Sequence, residues 1–184
     1  YGALLRSFNV QANGLGLAVK STPAGGTLFV SQQGGEVAIV DVASGEQLGA
    51  LSDVNDATPE FGAAAEIDRG PAGEYVYVVD SAKRVIRVYH ASGTYVAQFG
   101  GVGTTVGTFS YIDGMEVAPN GQVVVADGNS NFKVHVLTLD ANFNLDLAAS
   151  AAYANSDASV FGAELSSPKG LVFDNKGRAF FLEF

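Results

Sequence analysis

Short apolar runs bounded by Gly, Asn, Asp or Pro recur along this chain, and they recur in a fixed order. The clearest unit surrounds Asp127. It has a mainly apolar run over 114–117, a turn at Asn120 and Gly121, a strand-like run over 122–127 with a continuous apolar middle, a polar turn, and an alternating run over 133–137. The same order appears upstream as runs over 64–67, 75–80, 85–89 and 93–99, and before that over 16–19, 26–31, 37–40 and 45–51. A partial copy covers 168–173 and 178–182. In this register Val19, Ile67, Val117 and Phe173 hold one place, spaced 48, 50 and 56. Ser31, Asp80 and Asp127 hold another, spaced 49 and 47, with Glu183 in the last copy.

The runs are rich in Val, Ile, Tyr and Phe, which suits the pleated surface of a strand. Continuous apolar stretches such as Val123–Val125 and Val78–Val79 predict strands covered on both faces. Val85–Tyr89, which carries Arg87 among apolar residues, predicts a less buried third strand. A sustained helical period with caps is absent, so helix should be scarce. Four short antiparallel strands per unit, repeated at about fifty residues, describe the blade of a β-propeller, in which neighbouring blades cover each other's faces. A two-sheet sandwich would show turns without a four-strand superperiod. The predicted fold is therefore all-β, a single propeller-type domain over 1–184. It comprises an outer strand at 2–8, blades at 14–51, 61–100 and 107–147, and the start of a further blade at 161–184. That is about 3.5 blades, expected to belong to a six-bladed propeller.

Composition narrows the function classes. Of 184 residues, 23 are Gly, well above the usual share of about 7%, and without a collagen-like period they serve as turn residues. The formal charge is −9, from 19 acids against 10 bases, so a polyanion would be repelled and nucleic-acid binding is not expected. The absence of cysteine excludes disulfides, thiolate metal sites and Cys nucleophiles. No apolar run approaches the roughly 18 residues of a membrane span, so membrane insertion is not expected. The chain opens on Tyr1, which reads as a processed form or a piece of something longer. Low Lys, abundant small residues and acidity lean towards an extracytoplasmic location, secreted or periplasmic.

The stretches Gly107–Val117, Asn120–Asp127 and Tyr75–Tyr89 resemble the NHL-repeat family of β-propellers, whose second strand ends in Val-x-Asp before a polar turn. Ser31 and Glu183 depart from that Asp. The resemblance covers most of the chain and implies the propeller fold. It leaves function open, because propellers host many activities. Enzymes of the wider class, such as calcium-dependent lactonases and a zinc lyase, place ligands at the central channel.

Glu66, Asp113 and Glu116 lie at or beside first strands and are the metal candidates. Carboxylates suit Ca²⁺, a hard ion that takes about six to eight oxygens. A plainer reading makes them solvated acids of an acidic protein. Asp127–Asn131 opens like an EF-hand loop but has Phe132 where that loop needs Gly and Thr138 where it needs Glu. His90 ends a third strand, and His135 should face solvent or a neighbouring blade. Neither has a partner at ligand spacing, and no Gly-x-Ser-x-Gly elbow accompanies them. Lys83, Arg84 and Arg87 form the densest basic cluster and read as a solvated turn and strand edge. The Ala- and Ser-rich stretch 146–160, with Tyr153 and Asp157, reads as a long inter-blade loop on a binding face. Together these predict a non-enzymatic module without a cofactor, which binds a protein partner as a scaffold or as a subunit of a larger assembly. The alternative is a calcium- or zinc-dependent propeller hydrolase or lyase.

Overall fold

A computed structural model describes residues 14–22, 25–32, 36–51, 67–69, 74–128, 132–154, 157, 159, 168–174 and 176–183. The candidate Glu66 and the 2–8 strand lie outside the described residues. Among the described residues, fourteen strands are formed: β1 (Gly14–Thr22), β2 (Gly25–Gln32), β3 (Val37–Asp41), β4 (Gln47–Ala50), β5 (Ile67–Arg69), β6 (Tyr75–Asp80), β7 (Val85–His90), β8 (Tyr95–Gly100), β9 (Ile112–Val117), β10 (Val123–Asp127), β11 (Lys133–Leu139), β12 (Leu145–Ala154), β13 (Pro168–Phe173) and β14 (Ala179–Glu183). They build three four-stranded sheets, β1–β4, β5–β8 and β9–β12, each in sequence order, and a two-stranded sheet of β13 and β14. Every pairing between these strands is antiparallel. The first strands of successive sheets touch one another, β1 to β5, β5 to β9 and β9 to β13, so the sheets fan out from a shared axis rather than stacking as two layers.

The core fills the spaces between sheets. Phe29, Val37 and Ile39 of the first sheet meet Val76, Val78 and Tyr89 of the second. The opposite face of the second sheet, with Tyr77, Val79, Ile86 and Val88, meets Met115, Val123, Val125 and Leu137 of the third. A middle sheet with apolar side chains on both faces needs uninterrupted apolar second strands, and β6 and β10 supply them.

Turns at the blade edges have local causes. Asp140 Oδ1 accepts from the backbone N–H of Asn142 at 2.8 Å and of Asn144 at 2.9 Å. Hydrogen bonds from the Asn144 side chain and backbone hold its carboxyl below the ordinary 3.8. Phe143 in this turn has φ +63°, a costly region for an aromatic residue. Its ring is docked edge-on against Tyr75 at 4.7 Å, which ties the outer end of the third sheet to the second. At Gly100 (φ +106°) any Cβ would meet Arg84 O and Phe109 Cε2, each at 2.9 Å, so the strand exit admits only glycine without rearrangement.

Pairing corrects the register in the first two units. Leu51 N–H donates to Val37 O at 2.9 Å, and Phe99 stands opposite Ile86. Both Leu51 and Phe99 point at the following sheet, so Val37 is the counterpart of Ile86. Ser31, opposite Val37, therefore matches Val79, opposite Ile86, and Gln32 takes the place of Asp80. The cause is a connection one residue shorter between the second and third strands of the first sheet. Ile67 pairs with Val78 as Met115 pairs with Val125, so the counterpart of Val117 is Arg69. The third strand is not less buried: Val85–Tyr89 are all buried, Arg87 included. The stretch from 146 is not a loop either, since β12 extends the third sheet to Ala154 with an irregular register against β11.

Candidate binding cleft

Asp113 and Glu116 share β9 but serve different surroundings. Asp113 is the extra residue of a bulge, since Ala126 pairs with Gly114 and Asp127 with Ile112. Its carboxylate lies over Gly128, where a Cβ would collide with Oδ2. Glu116 stands opposite Val124, on the face turned towards β13. Among the described residues, no group of three His, Asp or Glu is placed to hold a metal ion. Gly128→Ala is expected to lower stability by about 1–3 kcal/mol through overpacking. Urea unfolding checks this, and the loss should shrink in an Asp113→Ala background, where the obstructing carboxylate is gone.

The strand-end acids bind the interior together instead. Asp80 Oδ2 accepts from Arg87 Nη2 at 3.0 Å, with both side chains nearly fully buried. This overturns the reading of Arg87 as part of a solvated basic cluster. Asp127 Oδ1 accepts from Tyr111 N–H at 2.8 Å, Ser110 N–H at 3.0 Å and Ser110 Oγ at 2.8 Å. His135 faces the neighbouring sheet, fully buried, with Nε2 3.5 Å from Asp127 Oδ2. Gly107 N–H donates to its Nδ1 at 3.3 Å, so Nδ1 is an acceptor and Nε2 is the ring nitrogen turned towards Asp127. Ser, His and Asp are thus close together, but the carboxylate stands between hydroxyl and imidazole. The histidine is not in line to take the Ser110 proton, so the order is wrong for a nucleophilic triad. His90 is exposed and rests on Tyr75, ring centroids 4.9 Å apart.

A cleft of about 530 Å³ lies between the third sheet and the β13–β14 pair. Val124, Val134, Val136 and Tyr153 form one wall, and Phe173, Ala179 and Phe181 form the other. The amides of Asn120 and Gln122 lie at its rim, and Gln122 Nε2 is anchored to Thr138 Oγ1 at 3.1 Å. No charged side chain lines it. The volume falls within the roughly 300–1,000 Å³ of ordinary ligand pockets. Of the residues singled out from sequence, Tyr153 lies in this wall, whereas Asp157 is not among the lining residues; its N–H donates to Ala154 O at 3.0 Å and its Oδ1 accepts from Ser159 N–H at 3.2 Å. The valines had a sequence signal in the alternation of β11, but alternation alone cannot say which face lacks a cover. Behind the cleft, the far face of the β13–β14 pair exposes Val172, Phe180 and Leu182 by 53%, 51% and 55%.

Solved structures share this architecture. A hydrazine synthase chain from Kuenenia stuttgartiensis superposes with TM-score 0.66 at 16% identity, over 99% of this chain and 46% of that one. The chain folds as β-propeller blades. A Lactobacillus plantarum protein gives TM-score 0.58 at 19% identity, over 92% of this chain and 48% of that one. The present blades thus span about half the length of either neighbour. At such identities the likeness shows the fold alone. No family model matches the chain, and no curated protein matches it.

Proposed function

We propose that this chain is a non-enzymatic, NHL-type propeller module that binds a protein partner, as a scaffold or a subunit of a larger extracytoplasmic assembly. The observation that carries the reading is the uncharged cleft of about 530 Å³, walled by valines and aromatic rings with fixed amides at its rim. Apolar walls with a few oriented polar groups suit recognition rather than bond chemistry. The repeat pattern around Val-x-Asp supports the NHL assignment, and acidity with low Lys supports the location.

Panning a random peptide library on the purified chain tests the binding role. The enriched peptides should bind saturably and be displaced by one another. The reading fails if no sequence is enriched over an unrelated propeller. It fails equally if elemental analysis finds stoichiometric Ca²⁺ or Zn²⁺ that Asp113→Asn or Glu116→Gln removes, which would favour the metal-dependent enzyme.

A further inference from the structure

We propose that His135 is a proton-operated clasp. As a neutral ring it holds down the tip of the loop over 101–110, and on taking up a proton it lets that tip go.

The loop joins β8 to β9, the fourth strand of the second sheet to the first strand of the third. Its base is fixed at several points. Gly101 N–H donates to Arg84 O at 2.7 Å, and Phe109 N–H donates to Gly101 O at 2.8 Å. Ser110 donates to the Asp127 carboxylate, and its carbonyl accepts from Arg84 Nε at 3.3 Å. The tip is a turn closed on itself: Thr108 N–H donates to Thr105 O at 3.0 Å, and Thr105 N–H donates to Thr108 Oγ1 at 3.0 Å. Two side chains of β11 tie that turn to the sheet. They stand two residues apart and so share a face of the strand. Lys133 Nζ donates to Thr104 O at 2.7 Å, and His135 Nδ1 accepts from the buried Gly107 N–H at 3.3 Å. Val106 adds a partly buried contact.

Of these two tethers the histidine is the type that changes charge near neutrality. Nδ1 accepts a hydrogen bond only while it carries no proton. A second proton on the ring sets an N–H against the N–H of Gly107, so an attraction becomes the meeting of two donors. The new charge has a partner on the other side, because Asp127 Oδ2 lies 3.5 Å from Nε2. Tyr111 N–H, at 2.8 Å, keeps that carboxylate in place. Both changes draw the ring from the loop tip towards Asp127.

The surroundings leave this choice to Asp127. Val125 of β10 and Ala152 of β12 stand opposite His135, and the second sheet faces the same core with Val79, Ile86 and Val88. The ionisable groups on the elements around the ring are Asp127, Asp113 on β9, Lys133, Lys83 and Arg84 before β7, Tyr77 on β6 and Tyr111. The Asp80–Arg87 pair lies on the other face of the second sheet, since Arg87 stands opposite Val78. Among the described residues, Asp127 alone is within ion-pair distance of the imidazole. The response is local, because the bonds at the base of the loop do not involve His135.

NMR on the whole chain tests the clasp through imidazole nitrogen shifts and amide exchange, compared at about pH 7.5 and about pH 5.5. At the higher pH, Nδ1 should be bare and Gly107 N–H protected. At the lower pH both ring nitrogens should carry protons. The protection of Gly107, corrected for intrinsic exchange, should then fall at least about tenfold, while Val125 in the middle of the sheet keeps its own. His135→Asn retains an acceptor near the place of Nδ1 without a titrating ring, so Gly107 should stay protected at both pH values. His90→Gln removes the other histidine of the chain and should leave the effect unchanged. If His135→Asn fails to fold, the ring shifts and exchange of the parent decide alone. A ring that stays neutral at about pH 5.5, or a doubly protonated ring beside an unaltered Gly107, overturns the proposal. So does loss of Gly107 protection only together with that of Val125, which is global unfolding. An effect that survives His135→Asn or vanishes in His90→Gln overturns it as well.

Discussion

Phe109→Ala is expected to lower the unfolding free energy by about 3–5 kcal/mol, against a total of about 5–15 kcal/mol for a domain. Phe109 is fully buried in the core between the second and third sheets. Its ring meets the exit of β8 at Gly100 and stands edge-on to His135 at 5.1 Å. Truncation therefore removes apolar contact and leaves a cavity whose walls are strand backbone and a hydrogen-bonded histidine, neither able to collapse inward. Urea unfolding should show a lower midpoint with an unchanged slope. Phe180→Ala, on the half-exposed face of β14, should stay within about 0.5 kcal/mol of the parent. A loss below about 1 kcal/mol for Phe109→Ala would mean that this residue is not where the sheets close on each other.

Asp80→Ala should have a comparable effect, about 3–5 kcal/mol, because it leaves the Arg87 guanidinium buried without its carboxylate. The double variant Asp80→Ala with Arg87→Leu should recover most of that loss, since a buried ion pair and a well-packed apolar pair differ little in stability. The first sheet supports this. Gln32 stands at the place of Asp80, and the residue opposite Val30, where Arg87 stands opposite Val78, is the buried Ala38. Acid and base are thus both absent there, as they are both present in the second sheet. A thermodynamic cycle over the two singles and the double measures the coupling, and strict additivity would contradict this role for the pair.

The architecture was legible because a blade's second strand must be apolar on both faces, and Tyr75–Asp80 and Val123–Asp127 carry that requirement openly. Side-chain register was less so. Ser31 resembles the strand-end Asp in size and polarity, and only the shorter connection to Val37 reveals that it faces the next sheet. Arg87 reads as exposed because an isolated charge normally is. Its partner Asp80 lies seven residues away across a turn, a distance that no local pattern encodes. The 146–154 stretch lacks β-branched residues, so its propensity is weak, and pairing with β11 makes it a strand. The cleft was not legible at all, because its walls come from two sheets whose juxtaposition no local pattern encodes. Tyr153 was noticed for its composition and not for its wall position.

The fan of blades about one axis can be tested through a single atom group. Met115 is the sole methionine, and it is buried between the second and third sheets. In a sample labelled at the methionine methyl, NOEs are expected to methyls of Val79, Ile86 or Val88 in the second sheet, together with Val125 in its own. Contacts confined to the third sheet, or directed to the methyls of Val37 and Ile39 in the first, would contradict the arrangement.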